Sequence, residues 1–112
     1  MEEEETREVV LPICGADFLV RVTGDSMADE GIREHDVLFV KEIESPRNGD
    51  IVIAHIGATG EVVKRYRSDS APGVDTGAQW LESENSSRNY PNIPVDGETL
   101  IRGRVVGLLR DF

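Results

Sequence analysis

A chain of 112 residues has room for one domain with a modest core and not for two. Hydrophobic residues make up 38% and charged residues 30%, the balance of a soluble globular domain. The formal net charge is −10, from 12 basic and 22 acidic side chains; that leaves too few cations to neutralise a phosphate backbone, so no direct DNA binding by this chain is expected.

The N-terminus opens on the acidic run Glu2 to Glu5, expected to be solvated and frayed. Residues 1–13 read as an acidic, partly disordered arm ahead of one domain over 14–112. Within the arm, Val9 to Ile13 carries Pro12 and is at best an edge strand. Asp17 to Thr23 predicts a strand with Phe18, Val20 and Val22 on one face and Leu19 and Arg21 on the other. Gly24 to Gly31 predicts a turn and then roughly one helical turn, with Asp25 or Ser26 placed to cap it. Asp36 to Lys41 is an apolar strand, and Pro46 with Asn48-Gly49 marks a turn. Ile51–Ile56 and Glu61–Tyr66, joined through Gly57 to Gly60, predict a hairpin. A polar loop from Ser68 to Gly77 leads to a short strand at Ala78 to Glu82, followed by an irregular crossing from Asn85 to Pro94. Leu100 to Leu109 closes the chain as a long strand, bulged near Gly103 and Gly107. Many short strands with almost no helical periodicity predict a mostly-β fold of bent antiparallel sheets or a partial β-barrel, with at most a short helical turn after Ser26.

Within this frame two stretches carry chemistry: Val22-Thr23-Gly24-Asp25-Ser26-Met27 and Glu61-Val62-Val63-Lys64-Arg65. A serine is a weak nucleophile unless a neighbouring base takes its proton. A lysine among apolar neighbours can be that base, because burial disfavours the ammonium and lowers its pKa. Ser26 and Lys64 are therefore the candidate nucleophile and base. The single cysteine, Cys14, excludes an intrachain disulfide and a paired-cysteine zinc site. No phosphate loop or metal-ligand cluster stands out, so no cofactor and no metal is expected. With no apolar run of spanning length and no basic leader at the N-terminus, the expected location is cytoplasmic, with no membrane contact.

Several blocks together resemble the C-terminal peptidase domain of the LexA-type repressors, shared with UmuD and the lambda-type phage repressors. They are the run Ala16 to Met27, Gly31-Ile32, Asp36-Val37-Leu38, Asn48-Gly49-Asp50-Ile51-Val52-Ile53-Ala54, Val62-Val63-Lys64-Arg65 and Gly103 to Arg110. The resemblance implies a bent, β-clip-like fold and a serine–lysine peptidase that cuts a peptide loop of its own polypeptide. By position it makes Ser26 the nucleophile, Lys64 the general base, and the backbone N–H groups of Asp25 and Ser26 the oxyanion hole. It also implies a homodimer through the C-terminal strand, here Arg102 to Arg110, and in SOS-response members cleavage provoked by the RecA filament. The family's scissile Ala-Gly or Cys-Gly step lies well ahead of the serine. Cys14-Gly15 has the right chemistry, but at about 3.3 Å of reach per residue it sits too close to Ser26 to fold back across the site, and it is read as a decoy. The expectation is thus a catalytic domain without its own substrate segment.

Blander readings apply to the remaining polar groups. His35 and His55 read as solvated surface residues. The carboxylate pairs Asp29/Glu30 and Glu34/Asp36 read as a solvated face, Met27 as packing under the turn, and Trp80 as core or dimer interface. A non-enzymatic dimerisation module, or a processed UmuD-like polymerase subunit, is the alternative to the peptidase. A signal-peptidase relative is disfavoured for want of a spanning segment.

Overall fold

The computed structural model describes residues 2–4, 15–57, 59–69 and 77–110. Its strands are β1 Glu2–Glu4, β2 Phe18–Arg21, β3 Val37–Lys41, β4 Ile51–Ile56, β5 Gly60–Ser68, β6 Gln79–Glu82, β7 Ile93–Pro94 and β8 Thr99–Leu109, with one 3-10 turn at Ala28–Glu30. All eight join one antiparallel sheet in the order β1-β2-β3-β8-β4-β5-β6-β7. The mostly-β class and the single short helical turn are as the sequence predicts.

The sheet bends around β8. The C-terminal half of β8 pairs with β3 and its N-terminal half with β4. Its register slips by one residue on each side, where Phe39 faces Gly107 but Val40 faces Val105, and where Ile53 faces Gly103 but Ala54 faces Ile101. An extra residue increases the local twist and bends the strand, and these two bulges sit beside the two glycines that signalled them. Gly103 has a further reason to lack a side chain, since a Cβ there would stand 2.6 Å from Val40 Cγ1 and 2.7 Å from the Lys41 carbonyl oxygen.

The bend gives the central strands cover on both faces. Phe18, Val20, Val22, Met27, Ile32, Leu38, Val40, Ile53 and Val63 make one core cluster. Val52, Ala54, Tyr66 and Leu81 make a second, with Val62 packed against it. Successive residues of β4 and β5 therefore point alternately into two apolar environments. Lys64 has the same parity on β5 as Val62 and Tyr66, so it is directed to the second cluster's side of the strand and is 7% exposed.

Two elements differ from the sequence reading. Glu2–Glu4, expected to fray, pairs as an edge strand with β2, Glu2 opposite Arg21. Ile93–Pro94, inside a stretch read as irregular, pairs with β6; Pro94 is tolerated because β7 is the outer strand. Residues 9–13, Cys14 and most of the predicted 68–77 loop lie outside the described residues. Among the described residues no helix is long and apolar enough to cross a membrane.

Candidate active site

Past β2 the chain reaches Gly24 at φ 89°, left-handed backbone that glycine enters without a Cβ penalty. The turn swings through Asp25 and Ser26, and Met27 then drops into the core at 1% exposure. Met27 thus packs beneath the turn, as expected. The 3-10 turn that follows closes at Gly31, whose N–H donates to the Ala28 carbonyl at 2.9 Å.

The predicted side-chain cap on that turn is not made. The Asp25 carboxylate has stronger partners elsewhere: it accepts the Tyr90 hydroxyl at 2.5 Å and pairs with Arg88 Nε at 3.3 Å. The Tyr90 hydrogen bond, helped by Arg88, holds the Asp25 carboxyl below the usual carboxylate range. The Asp25 carbonyl accepts Asn85 Nδ2 at 2.8 Å and the Ala28 N–H at 3.0 Å. The Ser26 carbonyl accepts the Glu84 N–H at 2.8 Å, and the Glu84 carbonyl in turn accepts the Asp29 N–H at 2.7 Å. A polar segment from residue 83 to residue 90 therefore holds the serine turn along its whole length.

Lys64 reaches the same segment from β5. Its Nζ lies 2.6 Å from Ser83 Oγ and 5.1 Å from the centroid of the Tyr90 ring. Neither partner carries a negative charge, so burial dominates and pushes the Lys64 pKa below its ordinary value. Ser83 follows directly after β6, whose Glu82 faces Arg65 on β5. Ser26 and Lys64 are thus anchored by adjacent residues, the serine through the Glu84 backbone and the lysine through the Ser83 hydroxyl.

Arg65 ties the frame together. Its Nε lies 2.9 Å from Glu84 Oε1, its Nη2 2.6 Å from Glu30 Oε1, and its Nη1 2.6 Å from the Gly49 carbonyl oxygen. One guanidinium so joins the segment holding the serine, the 3-10 turn behind it and the Asn48-Gly49 turn. Five donors in a fixed plane suit this threefold role, and a lysine's point charge does not.

The sequence reading passed over Ser83, Glu84, Asn85 and Tyr90, whose only sequence signal is a polar Ser-Glu-Asn run directly after an apolar strand. It also misjudged Asp36, read as part of a solvated face. Asp36 is 1% exposed, accepts the Arg33 N–H at 2.7 Å and binds Arg110 through both carboxylate oxygens, at 2.8 and 2.7 Å. The Arg110 hydrogen bonds hold its pKa below the usual range against the effect of burial. Asp29 and Glu30 are exposed but partnered, Asp29 accepting the Ser86 N–H at 2.7 Å. His35 and His55 are exposed, as expected, and Trp80 is half-buried with its Nε1 3.3 Å from Glu82 Oε1. Among the described residues no group of three or more His, Cys, Asp or Glu side chains converges as a metal site.

Known proteins place the chain. The family model described as Peptidase S24-like matches residues 2–106. The LexA repressor of Carboxydothermus hydrogenoformans is 42% identical over 96 residues, covering 85% of this chain and 43% of the relative. The LexA repressor of Shewanella loihica is 40% identical over 99 residues, covering 86% and 44%. That of Acidithiobacillus ferrooxidans is 40% identical over 121 aligned positions, covering 98% and 55%. The chain spans about half the length of these curated relatives. With a family match running through the serine turn, the lysine strand and most of β8, this chain belongs to the Peptidase S24-like family and is a LexA-like peptidase domain.

Proposed function

We propose that this domain is a serine endopeptidase working through a Ser26–Lys64 dyad. Neutral Lys64 takes the Ser26 hydroxyl proton, and the Oγ attacks the scissile carbonyl. The Lys64 ammonium then returns that proton to the leaving amine, and an acyl-enzyme on Ser26 is left for water to hydrolyse. The developing oxyanion is received by the backbone N–H groups of Asp25 and Ser26. In a trans peptide the N–H points opposite to the carbonyl before it. Anchoring the Asp25 carbonyl on Asn85 and Ala28 therefore fixes the direction of the Ser26 N–H. The observation that carries the reading is Lys64, 7% exposed, without a carboxylate partner among the described residues, and bound to the residue adjacent to the one that anchors the serine turn.

The substrate is a peptide loop with an Ala-Gly or Cys-Gly step, supplied by the parent polypeptide in autoproteolysis or by a partner. In this reading the parent is a LexA-like repressor or UmuD-like protein of an SOS or phage-type circuit. It dimerises through Arg102 to Arg110, and a RecA filament provokes cleavage. Exposed Leu108 and Leu109 on that strand favour the dimer.

The test is cleavage in trans. The wild-type chain, Ser26→Ala and Lys64→Ala are each mixed with a full-length LexA relative whose own serine is replaced, from about pH 7 to pH 10, the range leading to ordinary lysine ionisation. Serine-dependent cutting that grows with pH is expected, with at least about a thousand-fold loss in either variant. Equal cutting by the variants refutes the dyad. No cutting by a folded wild-type dimer turns the reading to a non-cleaving interaction module, and light scattering of a strictly monomeric chain at high concentration refutes the dimer.

A further inference from the structure

The dyad reading assigns Lys64 its role but not the orientation of its lone pair. A neutral primary amine carries two N–H bonds and one lone pair on a freely rotating Cε–Nζ bond, and only the lone pair accepts the serine proton. We propose that Ser83 is a positioning residue for this base, its Oγ accepting one Lys64 N–H so that the lone pair is held toward Ser26. This rests on the Ser26–Lys64 peptidase reading.

Three observations carry it. The contact is short, 2.6 Å between Nζ and Oγ, and Lys64 is almost completely buried, so little water is at hand to replace the hydroxyl. The Tyr90 ring stands 5.1 Å from Nζ and turns its negative face toward the amine, which in the proposed geometry draws the second N–H and leaves the third tetrahedral direction to the lone pair. Tyr90 is itself fixed by its hydroxyl on Asp25.

The third observation is the rigidity of Ser83's surroundings. On one side β6 is paired to β5 through Glu82 and Arg65. On the other, the Glu84 N–H is bonded to the Ser26 carbonyl and the Glu84 side chain to Arg65. The hydroxyl that orients the base and the amide that anchors the nucleophile's own backbone are therefore on consecutive residues. A shift of either partner is transmitted to the other through a single peptide unit.

A hydroxyl that accepts from Nζ also favours the charged amine, because the ammonium is the better donor. Two effects of Ser83→Ala follow and separate from each other. The high-pH plateau of cleavage falls about ten- to a hundred-fold, the loss expected for one hydrogen bond to a charged or charging group. The pH at half-maximal rate moves down, because the neutral amine has lost less than the ammonium. Ser83→Thr, which keeps the hydroxyl, restores both.

The experiment is the pH–rate profile of trans cleavage for wild type, Ser83→Ala and Ser83→Thr, with the serine-replaced full-length LexA relative as substrate. Alongside it, the Lys64 side chain is titrated by NMR in the wild type and in Ser83→Ala. A lower plateau and a lower midpoint in Ser83→Ala, matched by a lower Lys64 titration midpoint and rescued by Ser83→Thr, establish the role. A profile and titration unchanged in Ser83→Ala, against a wild type whose cutting depends on Ser26, overturn the positioning role and leave the peptidase intact. A fall in rate with an unmoved midpoint and no rescue by threonine assigns Ser83 to the frame alone, and also overturns it. A wild type with no Ser26-dependent cutting overturns the peptidase reading itself, and the positioning role with it.

Discussion

Lys64→Met separates the cost of burying the lysine from its use. Methionine matches the reach of the side chain but carries no charge, and it settles readily into irregular apolar space. While Lys64 is protonated, the wild type holds an ammonium at 7% exposure beside a hydroxyl and a phenol ring, neither of them negative. Replacing such a group with an apolar one of similar volume is neutral to stabilising. The variant forfeits one hydrogen bond, about 1 kcal/mol, and leaves the half-buried Ser83 hydroxyl without that donor. The net expectation is a gain of about 1–2 kcal/mol below the folded-state pKa of Lys64, accompanied by complete loss of cleavage.

The pH dependence is the sharper part of the same prediction. Burial places the folded-state pKa of Lys64 below its unfolded value. Below the folded pKa both states are protonated, and the difference between the two proteins is constant. Between the folded pKa and about 10.4 the unfolded chain holds more protons, so the wild type gains stability as pH rises, at most about 1.4 kcal/mol per pH unit. The advantage of Lys64→Met therefore shrinks toward pH 10.5. Tyr90, whose hydrogen bond to Asp25 raises its pKa, is present in both proteins, so its own linkage near pH 10 cancels in the difference. Urea denaturation of both proteins, followed by the single tryptophan, Trp80, gives the difference directly. A difference that stays flat from pH 7 to 10.5 refutes the reasoning, because it means that Lys64 titrates as a solvated lysine and supplies no neutral base near physiological pH.

Two further predictions concern the frame. Gly103→Ala drives a Cβ to 2.7 Å from the Lys41 carbonyl and 2.6 Å from Val40, and backbone on the paired strand cannot turn aside as a side-chain tip can. The expected cost is about 2–3 kcal/mol, a fall in Tm of roughly 10 °C or more; a melting curve unchanged within a degree refutes the close approach. Asp36→Asn removes the charge that binds Arg110 from a site 1% exposed, at a cost of about 1–3 kcal/mol, set below that of a fully buried pair because Arg110 is 34% exposed and water replaces part of the interaction. Since the Asp36 pKa is depressed, its contribution is present above about pH 4 and fades as pH falls through the folded value. Denaturation curves of the two proteins should converge in acid, and a gap that persists there points to lost packing instead.

Much of the fold is legible because local chemistry and tertiary demand agree. Phe18, Val20 and Val22 alternate as a one-faced strand and are buried as one. Asn48-Gly49 makes the predicted turn, with Gly49 at φ 96°, and β4 and β5 pair as the hairpin that their Gly-flanked loop predicts. Legibility fails where a residue's meaning depends on a partner far along the chain. Asp36 reads as surface because nothing nearby marks Arg110 as its counterion. Asp25 reads as a cap because the competing donor, Tyr90, approaches from a segment without periodicity. Lys64 falls between these cases: alternation alone places it on a face of β5, and only the second core cluster, built from β4, β5 and β6, turns that face into a buried one.

The same contrast bears on how the site is put together. The serine turn is an excursion from β2, and the lysine sits on β5, on the other side of β3, β8 and β4 in the sheet. Side chains placed by separate strands act together only if a third element fixes the gap between them. Residues 83 to 90 bond to both sides, to the turn through Glu84, Asn85 and Tyr90 and to the lysine through Ser83 and the Tyr90 ring. Arg65 holds Glu84 to Glu30 and Gly49, so the element is braced from the core side as well. The least strand-like stretch of the chain thus bears most directly on the geometry between Ser26 and Lys64, and under the proposed dyad substitutions there should alter cleavage well before they alter the fold.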